Sequence, residues 1–363
     1  LLGRWGRISV VLACIAAYSA HWSHFKRTGL MHSKPIDVLA VGNAIVDVFG
    51  KVNDQFLIEN GVQKNLMNLV DADTSKILLQ SLGLVTMPEF LAGGSAANTA
   101  VGINYFGGNS TFVGRVFDDD LGRLFQQELI KTGVNYPQPL YTDGSPTASS
   151  IILVTPDAAR SMNTYLGSCL EFDPKDLGFT NFNSVKIVYL EGYLYDAPKG
   201  PAVFAEATSL AQVSGTKIAL SLSDPWCVER HRDALSKFIS THVDILLGNE
   251  EEVISLCQCS RDDAIEKLSR QIDEVIVTLG PDGAIIRANN EQHLVPSMPQ
   301  GPVIDTTGAG DLFSAGYLYG RTHGYDSLRA GQLGSLAAGE VISHIGARPE
   351  ADLKLLAARL LSR

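Results

Sequence analysis

Short apolar runs recur along this chain at residues 37–41, 111–116, 150–154, 186–190, 217–222, 243–247 and 274–279. Stretches of helical period stand between many of them, at 95–106, 121–131, 201–213 and 254–270, and later at 311–319, 327–343 and 351–361. An apolar run of five or six residues without polar alternation suits a strand buried on both faces. Strands of that kind joined by helices predict an α/β fold: a mostly parallel central sheet with helices on both faces. A length of 363 residues suits one large domain with an accessory element. Two pieces break the alternation, 49–70 and 145–170; both are richer in polar and turn residues and read as irregular inserts.

Composition narrows the partners. A net charge of −10 argues against nucleic acid or an anionic membrane as the main partner, but leaves room for nucleotides held by local groups. The five cysteines (Cys14, Cys169, Cys227, Cys257, Cys259) are scattered and odd in number, which suits a reducing compartment without a disulfide framework.

One stretch combines apolar strand, glycine turn and helix start: Val303-Ile304-Asp305-Thr306-Thr307-Gly308-Ala309-Gly310-Asp311-Leu312-Phe313. Gly308 and Gly310 allow backbone shapes closed to other residues and leave room for a ligand. Amides at a helix N-terminus point into such a turn, and the helix dipole favours an anion there. Asp311 at the mouth of that turn has two readings. It is a base that takes a proton from a hydroxyl while the amides hold a phosphoryl group, or it is an ordinary helix cap. The helix terminus should depress its pKa. Two rival nucleotide motifs are excluded. No G-x-x-x-x-G-K-[ST] occurs, and Gly308-Ala309-Gly310 lacks the third glycine of a dinucleotide fingerprint.

The run from Asp305 to Asp311 is similar to the C-terminal signature of the ribokinase-like (PfkB) family of carbohydrate and nucleoside kinases. Gly93-Gly94-Ser95-Ala96-Ala97-Asn98-Thr99-Ala100 resembles the family's other signature, about 210 residues earlier. The resemblance runs over 37–349, and within the family the pattern looks most like the adenosine kinases. It implies a ribokinase-like fold with a small β lid built from the two inserts. It also implies transfer of the ATP γ-phosphoryl to the 5′-hydroxyl of adenosine, giving AMP.

Roles follow residue by residue from that resemblance. Asp311 would be the general base, with the amides of Gly308, Ala309 and Gly310 as the anion hole. Asn43, Asp47, Gly93, Gly94 and Asn98 would hold the ribose, and Arg160 would be a lid arginine that swings onto the transferring phosphate. Asn249 and Glu252 match an N-x-x-E motif that positions Mg²⁺, largely through water. Asn249, Thr278, Gly280, Gly283 and Thr307 would lie along ATP, and Asp305 with Thr307 matches a K⁺ site of some relatives. Met67, Ser150 and Met162 stand roughly where the better-known adenosine kinases carry Gln, Cys and Leu, so the base pocket departs from theirs. A guanosine/inosine kinase or a ribose- or fructose-type sugar kinase on the same fold stays open. So does a non-catalytic nucleoside-binding protein.

The first residues differ from the rest. Arg4 and Arg7 precede an apolar run at 8–20, Ala17-Tyr18-Ser19-Ala20 is a small-residue cleavage pattern, and no acid appears before Asp37. Residues 1–34 read as a targeting leader or as an extension ahead of the kinase-like part. The second reading is preferred, since an ATP-dependent kinase needs its co-substrate. The expectation is therefore a kinase domain over 35–363, cytoplasmic, monomer or homodimer, with small-molecule partners and no membrane.

Overall fold

The first strand, β1 (Ile36–Val41), shows why the central sheet must be covered twice. Val38 and Ala40 enter one apolar cluster, Leu39 and Val41 enter another, and all four are fully buried. Successive side chains of a strand point to opposite faces, so a continuous apolar run needs a cover on each.

The computed structural model describes residues 35–157 and 159–362; the leader or extension at 1–34 lies outside them. The strands that follow β1 are β2 (Ile45–Lys51), β3 (Met67–Leu69), β4 (Glu89–Gly93), β5 (Ser110–Val113), β6 (Ala148–Val154) and β7 (Arg160–Tyr165). Next come β8 (Val185–Glu191), β9 (Lys217–Ser221), β10 (Ile245–Asn249), β11 (Glu274–Thr278), β12 (Ala284–Ala288) and β13 (Glu291–Val295). Among the described residues they form an eight-stranded sheet, β13-β12-β11-β10-β9-β8-β1-β5, and a five-stranded sheet, β3-β7-β6-β2-β4.

In the large sheet β5, β1, β8, β9, β10 and β11 run parallel, and β12 and β13 close the edge as an antiparallel hairpin. The chain leaves β1 for β5 on one side and later reaches β8 on the other. That reversal puts a crevice at the carboxyl ends of the parallel strands.

The small sheet is more regular than the inserts 49–70 and 145–170 suggested. It begins at Ile45, and its edge strand β4 comes from outside both inserts. One face, with Val46, Val48, Ile151 and Leu153, is buried with Phe56 and Leu57 of the helix Asp54–Glu59 and Leu78 and Leu82 of the helix Ala72–Val85. The other face carries Asp47, Phe49, Ser150, Met162 and Met67.

Two helical expectations need correction. The stretch 254–270 is two helices, Glu250–Cys257 and Arg261–Ser269. Gln258 takes a left-handed conformation (φ 55°) that stops the first, and Ser260 caps the second through the Asp263 amide. The helix Pro225–His242 was not foreseen. Its apolar stripe is narrow (Val228, Leu235, Phe238, Ile239) and the rest of its surface is polar.

Candidate active site

The parallel strands deliver their last residues to one place. Asn43 follows β1, and Glu191, Ser221, Asn249 and Thr278 end β8, β9, β10 and β11. Two helices start at the same crevice. Gly94 (φ +93°) precedes the helix Ser95–Tyr105, and Gly308 (φ +79°) precedes the helix Ala309–Thr322. Both turns need glycine. A Cβ on Gly94 would lie 2.2 Å from the Asn43 carbonyl oxygen, and one on Gly308 would lie 2.7 Å from Ala347. The two helix N-termini thus aim positive dipole ends at a shared volume.

Asp311 sits where they meet. Ser95 Oγ donates to its Oδ1 at 2.6 Å and Asn98 Nδ2 donates to its Oδ2 at 3.0 Å. Thr99 Oγ1 donates to the Asp311 carbonyl at 3.2 Å. The depressed pKa argued from the helix terminus is not found. Burial raises the Asp311 carboxyl above the ordinary value, and the Ser95 and Asn98 donors only partly offset it. Among the described residues, Asn98 Oδ1 is buried and accepts no hydrogen bond.

Asp47 reaches the same crevice from the small sheet. A Cβ on Gly93 would lie 2.3 Å from Asp47 Oδ2, so this glycine makes room for the carboxylate. Burial raises the Asp47 pKa to about 7; Arg348 opposes the shift, Asp311 adds to it, and Arg160 opposes it. Arg348 carries two buried donors, Nε and Nη2, without hydrogen-bond partners among the described residues.

Arg160 opens β7 and crosses to the loop before the glycine turn. Its Nη1 donates to Thr307 Oγ1 at 2.8 Å and pairs with Asp305 Oδ1. Asp305 also accepts from the amides of Thr307 (3.0 Å) and Gly346 (3.0 Å). Both oxygens of the carboxylate offered to potassium are therefore bonded to protein donors, and a guanidinium supplies the positive charge beside it.

Asn249 and Glu252 form a reciprocal cap. Asn249 Oδ1 accepts from the Glu252 amide at 2.9 Å, and Glu252 accepts from the Asn249 amide at 2.9 Å and from its Nδ2 at 2.7 Å. Burial raises Glu252 to about 7. Among the described residues no group of three or more His, Cys, Asp or Glu side chains is placed to hold a metal. The pair fits a hydrated Mg²⁺ reached through water, and does not fit a direct cage.

Gly308, Gly310, Asp311, Ser95, Asn249, Glu252 and Thr278 line one cleft of about 270 Å³. Gly280 and Gly283 do not line it. They shape the turn after β11, where a Cβ on Gly283 would lie 2.0 Å from the Val295 carbonyl oxygen. Across the small sheet, Phe49, Ile152, Met162 and Met67 stand in register. Ser150 is buried and shares a 2.9 Å hydrogen bond with Thr164.

A family model described as pfkB family carbohydrate kinase matches residues 64–353. The chain belongs to the pfkB family of carbohydrate kinases. It resembles the crystal structure of a probable sugar kinase from Rhizobium etli, with 38% identity and a TM-score of 0.83, covering 90% of this chain and 99% of that one. An adenosine kinase from Sinorhizobium meliloti is as similar, at 38% identity and a TM-score of 0.81, covering 90% and 100%. Among curated relatives, the adenosine kinase of Saccharomyces cerevisiae is 26% identical over 85% of this chain and 95% of its own. This pfkB kinase is a phosphotransferase with an alcohol acceptor, and the family implies ATP as the donor. Among its described residues, no helix is long and apolar enough to cross a membrane.

Glu191, Ser95 and Arg348 are among the residues of this pfkB kinase's candidate site to which the sequence assigned no role. Glu191 is buried and accepts the amides of Asn43 (3.0 Å) and Ala96 (2.8 Å), joining the two glycine-turn segments. Burial raises its pKa to about 7. An acid at the end of an apolar strand was the available signal. Ser95 lay inside the quoted motif beside Gly94, and Arg348 carried no local signal at all.

Proposed function

We propose that this kinase moves the γ-phosphoryl of ATP to the 5′-hydroxyl of a ribonucleoside, adenosine first among them. The observation that carries the reading is Asn98: one end of its amide holds Asp311, and the other is a buried acceptor without a partner. An unmet buried acceptor costs about 1–3 kcal/mol. A sugar hydroxyl that donates to Asn98 Oδ1 removes that cost and sits beside the base. Asn43, Asp47, Gly93 and Gly94 complete the grip on the sugar.

Asp311 takes the proton of the acceptor hydroxyl. That oxygen bonds to the γ-phosphorus as the bond to the β–γ bridging oxygen breaks, and ADP leaves. The raised pKa makes Asp311 a better proton acceptor than an exposed carboxylate, while Ser95 and Asn98 fix its orientation. The amides of Gly308, Ala309 and Gly310 and the guanidinium of Arg160 stabilise charge on the phosphoryl oxygens. Mg²⁺, when bound, neutralises charge on the ATP phosphates; Asn249 and Glu252 would hold its waters. Asn249, Thr278 and Thr307 line the path of ATP, with Gly280 and Gly283 shaping the turn beside it. In this reading Asp305 pairs with Arg160 and does not serve as a potassium ligand.

The row Phe49–Ile152–Met162–Met67 supports a base over a bare sugar. It is an apolar strip beside Asp47, with Met67 42% and Met162 36% exposed, suited to a flat ring. Thioethers adapt to several ring shapes, which supports the guanosine/inosine alternative. The equal likeness to the Rhizobium etli probable sugar kinase supports a sugar alternative. A panel of adenosine, guanosine, inosine, ribose and fructose with ATP and Mg²⁺, read as ADP release, tests the reading. Adenosine should turn over fastest. Turnover of ribose or fructose without turnover of any nucleoside would replace it with the sugar reading.

A further inference from the structure

Arg160 and Asp305 lie 145 residues apart and tie the small sheet to the glycine turn. Asp305 is buried, and every other hydrogen bond of its carboxylate anchors it to the turn or to the segment packed on it. Oδ1 accepts from the Thr307 amide (3.0 Å) and the Thr307 hydroxyl (2.7 Å), and Oδ2 accepts from the Gly346 amide (3.0 Å). Ala347, the next residue, packs against Gly308. The carboxylate therefore belongs to the rigid side of the cleft. Arg160 belongs to the small sheet, where its guanidinium lies 5.6 Å from the Phe49 ring.

We propose that Asp305 is a positioning residue that docks the small sheet: it draws Arg160 across the cleft and holds the sheet closed over the anion cup. A charge-assisted hydrogen bond to an anchored carboxylate is strong and directional. Asp305 cannot follow Arg160 outward without losing the Thr307 and Gly346 amides, so the contact breaks when the sheet opens and does not stretch with it. That gives the sheet two discrete positions. Thr307 Oγ1 sharpens the dock, because it donates to Asp305 and accepts from Arg160. Asp305 and Thr307 engage Nη1, and the guanidinium has further donors for a phosphoryl oxygen. The inference concerns the arginine that the proposed function sets on the transferring phosphate, but it stands on the contacts to Asp305 and Thr307 and not on that role.

The test is a double-mutant cycle on the substrate-free protein, read by amide hydrogen exchange in β3 and β7. Arg160→Met and Asp305→Asn should each speed exchange there by about tenfold, and the double variant should exchange no faster than the faster single. Independent effects that multiply, or no change in β3 and β7, would overturn the proposal. Exchange in the helix Ala309–Thr322 reports whether Asp305→Asn disturbs the cup itself. If it does, Thr307→Val replaces it in the cycle with the same expectations and the same overturning result. Turnover by Arg160→Met separates the two readings. A loosened sheet with unchanged kcat keeps the dock and removes Arg160 from phosphoryl transfer.

Discussion

Asn98 Nδ2 lies 3.0 Å from Asp311 Oδ2, although 213 residues separate them along the chain. The contact joins the helix Ser95–Tyr105 to the helix Ala309–Thr322. In the proposed reaction the first grips the sugar and the second carries the base, so one side chain places both the substrate hydroxyl and the proton acceptor. Their separate roles predict separate kinetic defects. Asp311→Asn should lower kcat by about 10²–10⁴-fold with little change in acceptor KM. Asn98→Ala should raise acceptor KM by about tenfold or more, since it removes a buried polar partner, and should lower kcat by less than Asp311→Asn does, since Ser95 still orients the carboxylate. Steady-state kinetics with adenosine decides; turnover near wild type in Asp311→Asn would remove the base assignment.

The acceptor KM should depend on pH through Asp47. Burial holds its pKa at about 7, so the carboxylate is lost as pH falls through that value and the sugar loses a charged acceptor. KM should therefore rise on the acid side of about 7. Arg348 is the larger of the two cations that restrain the shift. Arg348→Met should move the rise to higher pH, while KM at the alkaline end stays near wild type. A profile that does not move in the variant would show that Arg348 acts on structure alone.

Glu191 predicts a pH effect on stability of the opposite kind to an ion-paired acid. Its pKa is raised from 4.5 to about 7, so the folded state binds the proton more tightly than the unfolded one. The stability it contributes is complete below the ordinary glutamate value and is lost as pH rises through about 7. Glu191→Gln does not titrate. Its Tm should gain on wild type between about pH 5 and about pH 8, whatever the offset at the acid end. Thermal melts at the two pH values measure this, and a constant gap would contradict it. The acceptor KM should rise as well, because one of the two amides loses its carboxylate acceptor.

Gly93 and Gly94 are adjacent but should fail differently. Gly93→Ala places a Cβ 2.3 Å from Asp47 Oδ2, against a side chain that can move, so acceptor KM should rise with little loss of stability. Gly94→Ala meets the Asn43 carbonyl oxygen at 2.2 Å and must hold φ +93°. A backbone held in so sparsely populated a region costs about 1–3 kcal/mol by itself. Urea denaturation should show a lower midpoint for Gly94→Ala and an almost unchanged one for Gly93→Ala. Equal midpoints would mean that the loop yields at both positions.

Much of the scaffold was legible because its signals are local. The run at 186–190 became β8 (Val185–Glu191), and the stretch at 201–213 became the helix Gly200–Ser214, since period and turn chemistry act over a few residues. The helix Pro225–His242 escaped because its apolar stripe is narrow, although Asp224 and Pro225 mark its start. The edge strand β4 lay outside both inserts because a strand's place in a sheet is set by its partner, here Ile45 opposite Gly93.

The amino-acid order alone determined the alternating architecture, the glycine turn before Asp311 and the family signatures, all consequences of backbone sterics and side-chain period. Tertiary structure decided the electrostatics. Ser95 and Asn98 meet Asp311, Arg160 meets Asp305, Glu191 meets the Asn43 and Ala96 amides and the charge of Arg348 acts on Asp47, all across long separations, and burial reversed the pKa direction that a helix terminus implies for Asp311. A carboxylate's pKa is set by how much water is taken from it and by which charges replace that water. Both depend on distant segments packed around it and not on its neighbours in the chain.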